Sequence, residues 1–377
     1  MIPLSKPDLT MLERKYILEV LDTGQLSFGE KINRFENLFR QQFEMEYAVA
    51  VNSGTSALHL AVKSLGLKAG DEVLTTPYSF IASANCLLYE GVKPVFVDID
   101  PKTLNMNTAK MEELITAKTK AILVVHVFGQ PCDMDEVLRI ATKYNLAIIE
   151  DACEAIGAKW KGKQVGTFGD AGIFAFYPNK QITTGEGGIL ITNNESIYQV
   201  AASLRNQGRN IKSTWLEHER LGYNYRMSEL QAAVGVAQME RLNEILKKRK
   251  QVAERYLELL KKLKLPVKTP LISNNCEMSW FVFVVILPEN IDRQKMIDDL
   301  SQQGVQSKPY FPSIHLQPSY RREFDYERGL FPVSEAMSDR TLAIPFYSNL
   351  SLNTQKNVIE ALSKALRNMN KVNQNKE

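Results

Sequence analysis

The chain has 377 residues, more than the ~100–200 of a usual single domain, so two domains are expected. Hydrophobic residues make up 44% and charged residues 24%, ordinary values for a globular enzyme-sized protein. A net charge of +3 with both signs mixed excludes a nucleic-acid or anionic-membrane binder as the first reading.

The amino terminus, Met1 to Lys6, lacks the basic-then-apolar pattern of a signal peptide, and no run approaches the ~20 apolar residues of a membrane span. The cysteines, Cys86, Cys132, Cys153 and Cys276, show neither CxxC pairing nor metal-ligand spacing with the histidines. A soluble cytoplasmic protein with reduced thiols and no metal is expected. From about residue 47 to 200, short apolar runs alternate with helical patterns. Strands are predicted at Tyr47–Val51, Glu72–Thr75, Pro94–Val97, Ala121–Val127, Leu146–Ile149, Gly172–Phe176 and Gly188–Thr192. Helices are predicted at Ser56–Leu65, Ser79–Tyr89 and Met134–Lys143. Strands apolar on both faces and separated by helices imply a mainly parallel sheet covered on both sides. Ligands of such sheets sit beyond the carboxyl ends of the strands. Met227 to Leu263 has apolar residues at helical spacing and no proline, which predicts one long helix or two in succession. Beyond it a buried strand at Ser279–Leu287 and helices at Ile291–Gly304 and Thr354–Met369 suggest a small α+β domain, with Asn370–Glu377 frayed. The expected division is 1–249 for a large α/β domain and 250–377 for the small one.

Three segments carry chemistry. Lys180 stands just past an apolar strand and is followed by Thr183-Thr184-Gly185-Glu186-Gly187-Gly188. A primary amine can hold an aldehyde cofactor reversibly as a Schiff base, and a desolvated lysine supplies it; alone, an exposed lysine in a polar turn is the commoner reading. Asn52-Ser53-Gly54-Thr55-Ser56 lies at a strand-to-helix junction, where backbone amides and small hydroxyls suit a phosphate, although a plain helix cap uses the same residues. Glu150-Asp151 ends another apolar strand; a buried aspartate there can keep the ring nitrogen of pyridoxal phosphate (PLP) protonated, or simply cap a helix. Pro77-Tyr78-Ser79-Phe80 offers an aromatic at a strand end to cover a ring face. Phosphate turn, aromatic, aspartate and lysine follow one another in the order a PLP site needs, each after its own strand.

That order resembles the DegT/DnrJ/EryC1/StrS family of sugar aminotransferases, within the fold-type I (aspartate-aminotransferase-like) PLP enzymes. The resemblance runs essentially end to end. It rests on Gly54 to Leu58, Asp71 to Phe80, Pro94 to Asp100, Glu150-Asp151-Ala152, Lys180 to Gly188, Gly222 to Ala233, Pro309 to Pro312 and His315 to Pro318. It implies that Lys180 carries the cofactor and moves the substrate proton, that Asp151 pairs with the ring nitrogen and that Phe80 stacks on the ring. Gly54, Thr55 and Ser56 would cradle the phosphate, Asn224 would reach the phosphate of a neighbouring subunit in a homodimer, and Tyr310 and His315 would border the sugar-nucleotide pocket.

Two positions depart from the commoner family pattern. Glu154 stands where many members have glutamine beside the cofactor's phenolic oxygen, and Ala175 stands where many have a phosphate-binding serine. Relatives acting at sugar C4 share the glutamate, and family dehydrases replace the lysine with histidine, so Lys180 implies transamination. The implied reaction moves an amino group from L-glutamate to a nucleotide-linked keto-sugar, with the Thr184 to Gly188 wording closer to C4 enzymes of 4-keto-6-deoxy sugars than to C3 enzymes. A cyclitol ketone as acceptor and a PLP-binding regulator without turnover remain the alternatives.

Overall fold

The computed structural model describes residues 1–210 and 217–374. Two helices that the periodicity reading does not single out precede the first strand: α1 (Met11–Thr23) and α2 (Glu30–Phe43). Ile32, Phe35, Phe39 and Phe43 fall on one face of α2 and are all buried. The start of α2 is capped from far along the chain. The Glu229 carboxylate accepts from the amides of Gly29 (2.8 Å), Lys31 (2.8 Å) and Ile32 (3.0 Å), three groups that a helix cannot satisfy itself.

Seven strands then form the central sheet: β1 (Tyr47–Val51), β2 (Glu72–Thr75), β3 (Lys93–Phe96), β4 (Thr119–Val125), β5 (Ala147–Asp151), β6 (Ala171–Ala175) and β7 (Gly188–Thr192). Their spatial order is β1-β7-β6-β5-β4-β2-β3. The pairs from β3 across to β6 are parallel, and β7 runs against both its neighbours. Val125 pairs with Asp151 and Asp151 with Ile173, so the carboxyl ends of β4, β5 and β6 share one edge. Because β7 is reversed, its first residue, Gly188, pairs with both Val51 and Ala175 at that same edge. The seven strands expected between residues 47 and 192 are all present, displaced by two residues or fewer at their ends, whereas the later strand expected at Ser279–Leu287 is shorter, Phe283–Ile286. The connecting helices are α3 (Gly54–Ser64), α4 (Ala82–Leu88), α5 (Met134–Tyr144) and α6 (Glu195–Arg205).

The helical stretch after residue 226 divides into α7 (Glu229–Glu240) and α8 (Leu242–Leu263). Arg241 makes the break, with φ −103° and ψ 5°, and its guanidinium is held by Asp8 (3.1 Å) and Glu13 (2.9 Å). Helix α8 serves two cores. Leu242 and Ile245 pack with α2 and α7, whereas Val252, Ala253 and Tyr256 pack with the carboxyl-terminal elements. Between them Arg249 is buried and donates to the carbonyls of Trp280 (2.7 Å) and Phe281 (2.6 Å).

The carboxyl-terminal part contains a three-stranded antiparallel sheet, β8 (Phe283–Ile286), β9 (Lys308–Pro309) and β10 (Thr341–Ile344), in the order β8-β10-β9. Helices α9 (Arg293–Gln302), α10 (Pro318–Phe324), α11 (Pro332–Arg340) and α12 (Leu352–Gln374) surround it. The tail expected to fray is helical to Gln374; residues 375–377 lie outside the described residues. The first residues of the chain join this part too. Ile2 bridges Val305, the Leu4 amide donates to Gln306 Oε1 (3.0 Å), and the Leu4 carbonyl accepts from Phe346 (2.9 Å).

Candidate active site

A cavity of about 640 Å³ opens at the shared strand edge, within the ~300–1,000 Å³ of ordinary ligand pockets. The sheet contributes Val125, Asp151 and Ala175, the turns after it contribute Glu154, Asn179 and Lys180, and the carboxyl-terminal part contributes Phe281, Tyr310 and Phe311.

Lys180 follows β6 in a turn, its side chain 13% exposed. Its Nζ lies 3.6 Å from Glu154 Oε1 and 4.1 Å from the centre of the Phe281 ring. Glu154 anchors its other oxygen, Oε2, on the backbone N–H of Phe128 at 2.9 Å. Burial pushes the Glu154 carboxyl upward and Asp151 adds to this, while Lys180 and the Phe128 amide pull the other way; burial prevails. Asp151, the last residue of β5, accepts from the Ser83 hydroxyl (2.7 Å) on one oxygen and from the Cys153 amide (3.2 Å) on the other. Ser83 gives no signal in the sequence, since nothing links residue 83 to residue 151 until β2 and β5 are laid in one sheet.

At the start of α3, Ser53 Oγ accepts from the Ser56 amide (3.1 Å). The amides of Gly54 and Thr55, the first two helical residues, have no partner within the helix and stand at the cavity wall. A Cβ on Gly54 would come within 2.5 Å of the Ala175 Cβ, so only glycine lets the helix start this close to the end of β6. Ser56 is placed differently from the expectation. It does not line the cavity, and its hydroxyl donates to Asn52 Oδ1 (2.7 Å), bracing the turn from behind.

Phe80 lies at the cavity with 61% of its surface exposed, an aromatic face available to a flat ligand. Tyr310 also lines it; burial pushes its phenol up to about 12, and Asn179 donates to its oxygen at 3.3 Å. The Asn179 Oδ1 is buried and has no hydrogen-bond partner among the described residues. Phe281, Phe311 and Asn179 were not singled out in the sequence, where Phe281 reads only as part of a buried strand.

The expectation for His315 is corrected. It is wholly buried outside the cavity, paired through Nε2 with Glu335 (2.9 Å) and set edge-on to Phe331, because the Gly329–Phe331 loop folds over it. Asn224 is exposed and lies outside this chain's own cavity, its carbonyl accepting from Asn52 (3.4 Å). Among the described residues no group of three or more His, Cys, Asp or Glu could hold a metal ion, and no helix is long and apolar enough to cross a membrane.

A primary amine, a carboxylate fixed by a serine, an unsatisfied helix start and an exposed aromatic face make a donor set that fits PLP: amine for the aldehyde, carboxylate for the ring nitrogen, amides for the phosphate. On this ground the fold and the cavity place the molecule among the fold-type I PLP aminotransferases. More narrowly, the chain belongs to the DegT/DnrJ/EryC1/StrS aminotransferase family, whose model matches residues 7–363. It is similar to a GDP-perosamine synthase of Caulobacter vibrioides, 39% identical over 97% of this chain and 98% of the relative. Among solved structures it resembles DesV of S. venezuelae, with a TM-score of 0.89 and 30% identity over 96% of this chain and 98% of that one. It also resembles NtdA of Bacillus subtilis with bound cofactor PMP, with a TM-score of 0.87 and 31% identity over 95% of this chain and 83% of that one. The protein is a PLP-dependent transaminase of a family whose members act in amino-sugar and polysaccharide biosynthesis.

Proposed function

We propose that this enzyme aminates the C4 keto group of a nucleotide-linked 4-keto-6-deoxy sugar with L-glutamate as donor, in the cytoplasm, as a homodimer. The observation that carries the reading is the meeting of Lys180, Glu154 and Asp151 in one desolvated cavity, next to the aromatic wall of Phe281, Tyr310 and Phe311. When bound, PLP supplies an aldehyde to receive the amino group and an electron-poor ring to accept the electron pair freed at the donor carbon.

The chain's own residues divide the remaining work. Asp151, already oriented by Ser83 and the Cys153 amide, would hold a proton on the ring nitrogen. The Gly54 and Thr55 amides would take the phosphate at the positive end of α3. Phe80 would cover one ring face. Lys180 Nζ would move the proton between the substrate carbon and the cofactor in each half-reaction, because a neutral amine in a dry pocket is both nucleophile and base. Tyr310 keeps its proton at neutral pH, so it would offer a hydrogen-bond donor to a sugar oxygen. Asn224 would serve the partner's cavity, which would leave each active site incomplete in a monomer.

The test is direct. Purified holoenzyme is incubated with L-glutamate and a GDP-linked 4-keto-6-deoxyhexose, and both 2-oxoglutarate and the amino sugar are followed by mass spectrometry. Equimolar appearance of the two products is expected. Formation of 2-oxoglutarate with no acceptor among GDP-, UDP- and dTDP-linked 4-keto-6-deoxy sugars would sink the assignment, and turnover of a cyclitol ketone would replace it.

A further inference from the structure

We propose that Glu154 is a proton store for Lys180: its free oxygen takes the ammonium proton when the amine must act as nucleophile or base, and returns it afterwards. This rests on Lys180 being the cofactor-bearing lysine.

The geometry assigns the two carboxylates near Lys180 to different tasks. Both Asp151 oxygens are engaged, one by the Ser83 hydroxyl and one by the Cys153 amide. In Glu154, among the described residues, Oε2 accepts from the Phe128 amide and Oε1 is the atom turned to Lys180 Nζ at 3.6 Å. A small turn of the flexible lysine chain closes that separation to hydrogen-bond length. Oε1 therefore has a lone pair facing the amine, while the backbone donor fixes the rest of the carboxyl.

The transfer is one proton: the Nζ–H bond breaks, the Oε1–H bond forms, and an ammonium-carboxylate pair becomes an amine and a neutral acid. Two charges vanish together in a pocket where both side chains are nearly dry, so desolvation favours the exchange that water would oppose. The other titratable groups facing Glu154 are Asp151, Cys153, Tyr78 and Tyr310. Burial holds the thiol and both phenols in their neutral forms, which leaves Lys180 and Asp151 as the neighbours that act on Glu154 through charge. A glutamine in this place could still accept from the Phe128 amide but could not take a proton. The pH dependence follows from proton counting. Amine plus acid holds the same number of protons as ammonium plus carboxylate, so the ratio between them does not change with pH over the range in which the pair keeps one shared proton. Without an internal acceptor the proton must leave to solvent, and the amine fraction rises about tenfold per pH unit.

The experiment follows covalent capture of added PLP by the full-length apoenzyme, as growth of the visible band and as borohydride-fixed adduct. It runs from mildly acidic to mildly alkaline buffer. Wild type should capture PLP at a nearly pH-independent rate. Glu154→Gln should be slower by about tenfold or more in neutral buffer, with a rate climbing about tenfold per pH unit. Glu154→Asp, which keeps an acid, should restore the flat profile at a reduced rate and serves if the glutamine variant does not fold. A Glu154→Gln rate and profile equal to wild type, or a Glu154→Asp profile as steep as that of glutamine, overturns the proposal. Capture by Lys180→Ala would instead remove the lysine assignment itself, a separate failure.

Discussion

Replacing Glu229 with alanine should loosen the amino-terminal half of the fold without touching the cavity. The buried carboxylate holds three amides of the α2 start, at 2.8, 2.8 and 3.0 Å. Hydrogen bonds to a charged group contribute about 1.5–3 kcal/mol each, and water entering the space left by the side chain recovers part of the sum, so a loss of about 3–5 kcal/mol is expected. For 377 residues, at about 2.1 cal/mol/K per residue, this lowers Tm by roughly 5 °C. Glu229→Gln should lose about half as much: one amide oxygen can still serve Gly29 and Ile32, but the amide nitrogen then faces the Lys31 N–H, donor against donor. Scanning calorimetry gives the shift, and hydrogen exchange at Gly29, Lys31 and Ile32 gives its location. An alanine variant that melts with wild type and protects those amides equally would refute the reasoning, since the carboxylate would then be doing nothing that solvent cannot.

Asp151→Asn should retain the Ser83 contact yet lower kcat by about 100-fold or more, because an amide cannot keep a proton on the ring nitrogen; steady-state kinetics with saturating L-glutamate measures it. Tyr310→Phe should raise KM for the sugar nucleotide by about tenfold while leaving the glutamate half-reaction intact, as single-turnover spectra would report. Acid should weaken the Gly329–Phe331 loop. Burial holds the His315 imidazole below its ordinary 6.5, and although burial alone would raise Glu335, the Gly329 amide and His315 outweigh it and hold that carboxyl below 4.5. Both groups bind protons less tightly folded than unfolded, so their stabilisation is complete above 6.5 and is lost as pH falls through the lowered imidazole and then the lowered carboxyl value. A Tm measured down this range should fall more steeply in wild type than in His315→Gln.

The sheet was legible because strands buried on both faces read as unbroken apolar runs, and β2 and β7 end where the runs end. Asp151 was legible for a related reason: a strand's last residue is where an apolar run turns polar, so a charged side chain there stands out, and Lys180 stood out as the charged residue in the turn just past such a run. Helix α2 could have been read from Ile32, Phe35, Phe39 and Phe43, a clean stripe at helical spacing. What could not be read are contacts made only by folding. Ser83 meets Asp151, and Phe128 gives its amide to Glu154, across separations that no local pattern encodes. His315 shows the opposite failure. Its neighbourhood belongs to a recognisable motif, but the motif does not say whether the ring faces a ligand or, as here, Glu335 and Phe331.

The bridge between Ile2 and Val305 bears on how the chain is made and cut. A polypeptide leaves the ribosome amino end first, so residues 2–4 emerge before the surface they pair with, which appears only after the central sheet and α8 have been synthesised. The carboxyl-terminal part therefore cannot complete itself as an independent late-folding unit; it must recover a segment synthesised well before it. A fragment starting within α8 would lack that segment and expose the backbone at Gly304 to Gln306. A purification tag fused directly ahead of Met1 would crowd the same seam.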